Sequence, residues 1–214
     1  MTIHLSQLMP LPLAEQDTSG SQVWGAAQVR FESGASYLVG SPSGKGKSTL
    51  LSIFFGLRQD YRGTVSLDGQ DPLTISLSEW AILRQQRISM VFQGLRLFPQ
   101  LSGWDNLLVK NSLTGFRQEA ELRDMAHRLG IGDLLTRPCG TWSFGQRQRL
   151  AIIRALAQPF EWLLLDEPFS HLDQENIAIA AAMIEEARQA QGAGLILTSL
   201  GEEEVMNFDH RLTL

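Results

Sequence analysis

Along the chain, short apolar runs alternate with stretches whose apolar positions recur at helical spacing. Tyr37-Leu38-Val39 reads as a strand, the Gly/Ser/Pro-rich segment after it as a loop, and Ser48 to Leu57 as a helix. Trp162-Leu163-Leu164-Leu165 and Gly194-Leu195-Ile196-Leu197-Thr198 are further strands, the second preceded by a helix-like stretch from Asn176 to Ala190. Strands alternating with helices predict a parallel sheet covered on both faces. Gln118 to Leu129, with Leu122, Met125, Ala126 and Leu129, and Gly145 to Ala157, with Leu150, Ile153 and Ala157, predict two more helices. A mostly helical insertion from roughly Gly94 to Ala157 follows, with edges good to ~2–4 residues.

Composition narrows the function classes. With 214 residues, 43% of them apolar, the chain can bury a substantial core as one domain or one domain with an insertion. A net charge of -5 without a long Lys/Arg block argues against a nucleic-acid binder, so any phosphate is held locally. Cys139 is the single cysteine, which excludes an intrachain disulfide and a cysteine metal cluster and fits a reducing compartment. Met1 to Leu13 does not read as a leader, and no apolar run reaches the ~20 residues of a membrane span. If the protein works at a membrane, another chain supplies the pore. The five tryptophans are scattered, as core or interface residues are; His4, His127 and His210 lack metal-ligand spacing; Glu202-Glu203-Glu204 reads as a solvated helix start.

Two motifs carry chemistry. In Gly40-Ser41-Pro42-Ser43-Gly44-Lys45-Gly46-Lys47-Ser48-Thr49, Gly44 and Gly46 let backbone N–H groups approach phosphates closely. Lys47 offers a compact cation to β/γ-phosphates, Ser48 a hydroxyl to Mg²⁺, and the following helix its positive end. Gly40, Ser43, Gly44, Gly46, Lys47, Ser48 and Thr49 are thus the expected phosphate-binding set of a P-loop, against the alternative of a flexible loop with accidental lysines. The second motif, Trp162-Leu163-Leu164-Leu165-Asp166-Glu167, ends a buried strand in two carboxylates, where a parallel sheet places ligand-binding groups. Asp166 suits Mg²⁺, and Glu167 suits polarising the water that attacks a γ-phosphate.

These motifs stand in the order typical of ABC ATPases, and the chain resembles that family over most of its length. Met90-Val91-Phe92-Gln93 resembles the Q-loop, Trp142-Ser143-Phe144-Gly145-Gln146-Arg147-Gln148-Arg149 the signature sequence, and Ser170-His171-Leu172-Asp173 the D-loop. The resemblance implies an α/β P-loop NTPase core with a mainly parallel sheet (residues 1–93 and 158–214), an N-terminal antiparallel β portion and a helical subdomain (94–157). It implies ATP and Mg²⁺ as cofactors, with the metal at Ser48, Gln93 and Asp166 and catalysis by Glu167, Gln93 and Ser199. It also implies a head-to-tail pair with a second ABC ATPase subunit, a copy or a paralogue, in which Ser143, Gly145, Gln146 and Asp173 meet the partner's nucleotide or P-loop. The segment after Gln93 would face transmembrane transporter subunits, placing the chain in the cytoplasm on the inner face of the cell membrane, with no nucleic acid as partner.

Four positions depart from the family pattern. Ser41 replaces a P-loop glycine, with Gly40 as the expected source of the turn, and Phe144 stands where the signature has a small residue, so that a bulky ring is expected beside the γ-phosphate contact. Ser199 occupies the place of the switch histidine; it can hydrogen-bond a phosphate but carries no charge, so hydrolysis is expected to be slow. His171 reads as a solvated D-loop residue rather than a substitute for that histidine. No aromatic residue lies in Met1 to Val23 to stack on adenine, and Trp24 reads as a core or edge residue. The leading expectation is a transporter motor; a soluble ABC ATPase of repair or translation and an ATP-gated scaffold are the alternatives.

Overall fold

Eight strands divide into two sheets in the computed structural model, which describes residues 1–200 and 206–214. In chain order they are β1 (Ile3–Pro10), β2 (Val29–Phe31), β3 (Ser36–Gly40), β4 (Tyr61–Leu67), β5 (Ile88–Val91), β6 (Trp162–Asp166), β7 (Gly194–Ser199) and β8 (His210–Thr213). The helices are α1 (Lys47–Phe54), α2 (Leu77–Gln86), α3 (Gly103–Asn111), α4 (Glu119–Arg128), α5 (Phe144–Leu156) and α6 (Gln174–Gln191). The expected helix start at Glu202, Glu203 and Glu204 lies outside the described residues.

The larger sheet has the order β5-β6-β7-β3-β8 with every pairing parallel; the smaller, β2-β1-β4, is antiparallel. This is the predicted α/β architecture with an antiparallel N-terminal portion. Alternate residues of β6 point to opposite cores, as the two-residue period of a strand requires. Leu163 and Leu165 join Leu150 and Ile153 of α5 and Ile184 of α6 on one face. Trp162 and Leu164 join Leu50 and Phe54 of α1 and Ile3 and Phe31 of the small sheet on the other. Segment 94–157 carries α3, α4 and α5, and its apolar side chains run into the sheet's core without a break. Among the described residues, no helix is long and apolar enough to cross a membrane.

The helix expected over Ser48 to Leu57 stops at Phe54. Gly56 turns the chain at φ 71°, and a Cβ there would lie 2.5 Å from the Trp80 ring. Close packing of the chain under Trp80, from α2, ends the helix; apolar periodicity does not register it.

Candidate active site

Register in the parallel sheet assembles the site. Gly40 of β3 pairs with Ser199 of β7, Thr198 of β7 with Asp166 of β6, and Leu165 of β6 with Val91 of β5. The C-terminal ends of four neighbouring strands therefore deliver the P-loop, Ser199, Asp166-Glu167 and Phe92-Gln93 to one edge, where open α/β sheets bind ligands.

The loop between β3 and α1 folds through left-handed glycines, Gly44 at φ 82° and Gly46 at φ 95°. A Cβ on Gly46 would stand 2.5 Å from Leu13 Cδ1 and 3.1 Å from Trp24 Cζ2, so both conformation and space require glycine. Trp24 is buried under the loop and its indole Nε1 donates to the Lys45 carbonyl at 2.9 Å. Gly40 does not supply a special turn as expected: it ends β3, its φ is not positive, and a Cβ there would meet nothing within 4 Å.

Lys47 opens α1 with its side chain only 5% exposed. Its ammonium donates to the carbonyls of Ser41 (2.7 Å) and Pro42 (3.2 Å) and lies 3.5 Å from Glu167 Oε1. Glu167 Oε2 accepts from Gln93 Nε2 at 3.2 Å. Asp166 is buried, and Thr198 Oγ1 donates to its Oδ1 at 2.9 Å. Burial pushes the Asp166 carboxyl above the usual carboxylate range, opposed by hydrogen bonds from Ser48 and Thr198. Glu167 holds a left-handed backbone, φ 49°, with its N–H on the Thr198 carbonyl and its own carbonyl bonded by Gln148 Nε2 and Ser170 Oγ. Unusual φ at a non-glycine residue beside such groups is a mark of functional sites.

Ser43, Gly44, Gly46, Lys47, Ser48, Thr49, Gln93 and Glu167 line one cleft of about 220 Å³ with Leu13. Asp166 joins it through Ser48, while Gly40 and Ser199 pair at the ends of β3 and β7 and do not line it. Glycine-bounded amides, a buried ammonium and two carboxylates on one edge can bind a polyphosphate and position water on it.

Ser143, Gly145, Gln146 and Asp173 do not line this cleft. Ser143 is the N-cap of α5: its Oγ accepts from Gln146 N–H while Gln146 Oε1 accepts from Ser143 N–H, a capping box. The Ser143 hydroxyl keeps its own O–H to donate. Gly145 lies so near the D-loop that a Cβ would be 2.7 Å from the His171 carbonyl oxygen. The Phe144 ring is 38% exposed and set edge-on to the His171 ring at 4.3 Å. Asp173 caps α6 through Asn176 N–H at 2.8 Å, which draws its carboxyl below the usual range. Sequence reading missed Leu13, the supporting role of Trp24, Thr198, and Gln148, whose buried amide ties α5 to Glu167 and to His171 N–H. For Gln148 a signal existed: it shares the buried side of α5 with Ala151, Ile152 and Ala155.

Comparison with known proteins decides the family. The family model described as ABC transporter matches residues 26–170. The chain belongs to the ABC transporter family. As a member it is an ATP-binding subunit and an ATPase. The chain is 30% identical over 197 residues to the lipoprotein-releasing system ATP-binding protein LolD of Shewanella frigidimarina, covering 91% of this chain and 82% of that one. It is 34% identical to the molybdenum import ATP-binding protein ModC of Mesorhizobium japonicum over 84% of this chain but 49% of that protein. In structure it is similar to a dimeric bacterial ABC transporter cassette, MJ0796, with a TM-score of 0.81 at 22% identity over 99% of this chain and 94% of the other, a likeness of fold.

Proposed function

We propose that this ABC subunit is a transporter motor that works on the inner face of a cell membrane under membrane-spanning subunits. In this reading it pairs head to tail with a second cassette, a copy or a paralogue, around Mg-ATP. The observation that carries the reading is the convergence of Lys47, Ser48, Gln93, Asp166 and Glu167 on one sheet edge.

Lys47 exchanges the Ser41 and Pro42 carbonyls for β/γ-phosphate oxygens, and the amides of residues 43–49 take the rest of the anion. Ser48, Asp166 and Gln93 offer a hydroxyl, a carboxylate and an amide oxygen, a donor set that suits the hard cation Mg²⁺. Bound there, the metal would neutralise phosphate charge. Glu167 draws on the attacking water's proton while Gln93 helps hold that water in line. Ser199 donates a neutral hydrogen bond toward the γ-phosphate, weaker support than a charged group would give.

The N-terminus of α5, with Ser143, Gly145 and Gln146, closes over the second cassette's triphosphate, and Asp173 stands beside its P-loop. Residues 94–157 serve as the helical subdomain on a core of 1–93 and 158–214, carrying this end of α5 toward or away from the partner. ATP then joins the pair, and loss of the γ-phosphate releases it.

Light scattering tests the reading. Glu167→Gln with ATP and Mg²⁺ is expected to double in mass, whereas Lys47→Ala stays single; a monomer indifferent to ATP in both variants overturns the sandwich.

A further inference from the structure

Gln148 is only 2% exposed, on a side of α5 that otherwise gives Ala151, Ile152 and Ala155 to the core. A buried amide among apolar neighbours costs free energy unless its polar atoms find partners. Both atoms do, and on main chain outside their own helix: Nε2 donates to the Glu167 carbonyl at 3.1 Å, and Oε1 accepts from the His171 N–H at 3.2 Å. One partner accepts and the other donates, so the amide fits in a single orientation; turned over, it would set oxygen against oxygen.

The turn that Gln148 holds runs against local preference. Glu167 has a left-handed backbone, φ 49°, which a residue with a Cβ adopts only where its surroundings impose it. It also precedes Pro168, and a proline drives the residue before it toward extended conformations. Two anchors oppose these preferences from different elements: the Glu167 N–H is fixed to the Thr198 carbonyl of β7 at 3.1 Å, and its carbonyl to Gln148 of α5. The Ser170 hydroxyl also donates to that carbonyl, at 3.2 Å, but it belongs to the turn and moves with it. With the backbone so held, the carboxylate stands between Lys47 Nζ at 3.5 Å and Gln93 Nε2 at 3.2 Å.

We propose that Gln148 is a positioning residue for ATP hydrolysis, whose amide keeps the Glu167 main chain left-handed so that the carboxylate stays over the cleft. The inference rests on the role given above to Glu167. Without the Nε2 donor, Glu167 relaxes toward the extended conformation that Pro168 favours, and its carboxylate leaves the place of the attacking water. The phosphate loop, held by the Trp24 and Lys47 contacts of its own, keeps its grip on the nucleotide. This gives α5 a second task. The helix capped by Ser143 carries, about one turn further on, the side chain that sets Glu167, so a displacement of that end reaches the carboxylate.

The test compares Gln148→Met, which keeps the length and loses both polar atoms, with Gln148→Glu, which keeps an acceptor for the His171 N–H and loses the donor. In each, kcat for ATP is expected to fall about tenfold to a hundredfold while KM stays within about twofold of wild type, a split that loss of packing alone would not produce. Light scattering with ATP and Mg²⁺ should find Gln148→Met gathered at twice the single-chain mass, as expected of Glu167→Gln, because bound ATP is no longer turned over. Wild-type kcat in a folded Gln148→Met overturns the proposal, as does a fall in kcat matched by an equal loss of ATP affinity. Failure of both variants to fold also overturns it and leaves Gln148 a packing residue only. Glu167→Gln is the reference: if it turns ATP over at the wild-type rate, the role given to Glu167 falls and this inference with it. An inactive Glu167→Gln beside a fully active Gln148→Met sinks this inference alone.

Discussion

Lys47 Nζ lies 3.5 Å from Glu167 Oε1, so the cation that suits the phosphates and the carboxylate that suits the water hold each other across the cleft. Gln93 Nε2 grips the second oxygen of the same carboxylate at 3.2 Å. Under the proposed function, a triphosphate that takes Lys47 frees Glu167 Oε1 for the attacking water, coupling nucleotide entry to activation of that water. Both groups belong to a single network, and their substitutions should not add in energy.

Ser199→His should raise the steady-state ATPase rate by about tenfold, since a protonated imidazole stabilises phosphate charge that a hydroxyl cannot. Position 199 is buried at the end of β7, so turnover is read beside the melting temperature. An unchanged rate in a folded variant would mean that another group already supplies the charge.

Asp166→Asn separates stability from function. Because burial raises the folded-state pKa of Asp166, its contribution to stability is present below the unfolded value and lost as pH rises through the folded one. At neutral pH the ionised carboxylate is a cost, so the variant without nucleotide should melt at a higher temperature than the wild type. The advantage should shrink as pH falls through the raised folded-state pKa, where the wild-type carboxyl protonates. ATP with Mg²⁺ should stabilise the wild type and not the variant. Calorimetry over pH checks both halves, and a lower melting temperature for the variant at pH 7 contradicts the sign.

Trp24→Phe keeps most of the apolar volume under Gly46 but removes the indole donor to the Lys45 carbonyl. A loss of about 1 kcal/mol in urea unfolding is expected, together with weaker ATP binding, because that bond holds the phosphate loop itself. Equal ATP affinity in the two proteins would show that the loop keeps its shape without Trp24.

Much of the site was readable along the chain because its parts are local. Gly44, Gly46 and Lys47 are neighbours in one loop, and Asp166 and Glu167 end one apolar run, so spacing alone exposes their chemistry. Trp24 was harder: the Lys45 carbonyl it binds is 21 residues away, and nothing in its immediate neighbours marks that contact. Gly40 misled for the opposite reason, since a glycine before a loop suggests a turn that the backbone does not make there.

By itself the sequence determined three strands of the parallel sheet, the approximate extent of four helices and the glycine-lysine loop of the candidate site, because apolar period, glycine spacing and charged side chains act over a few residues. Only the tertiary structure decided that Gly40, Ser199, Asp166 and Gln93 share an edge, since strand order and register join residues far apart in the chain. Burial and pairing depend on what packs alongside, and a linear pattern does not hold that information.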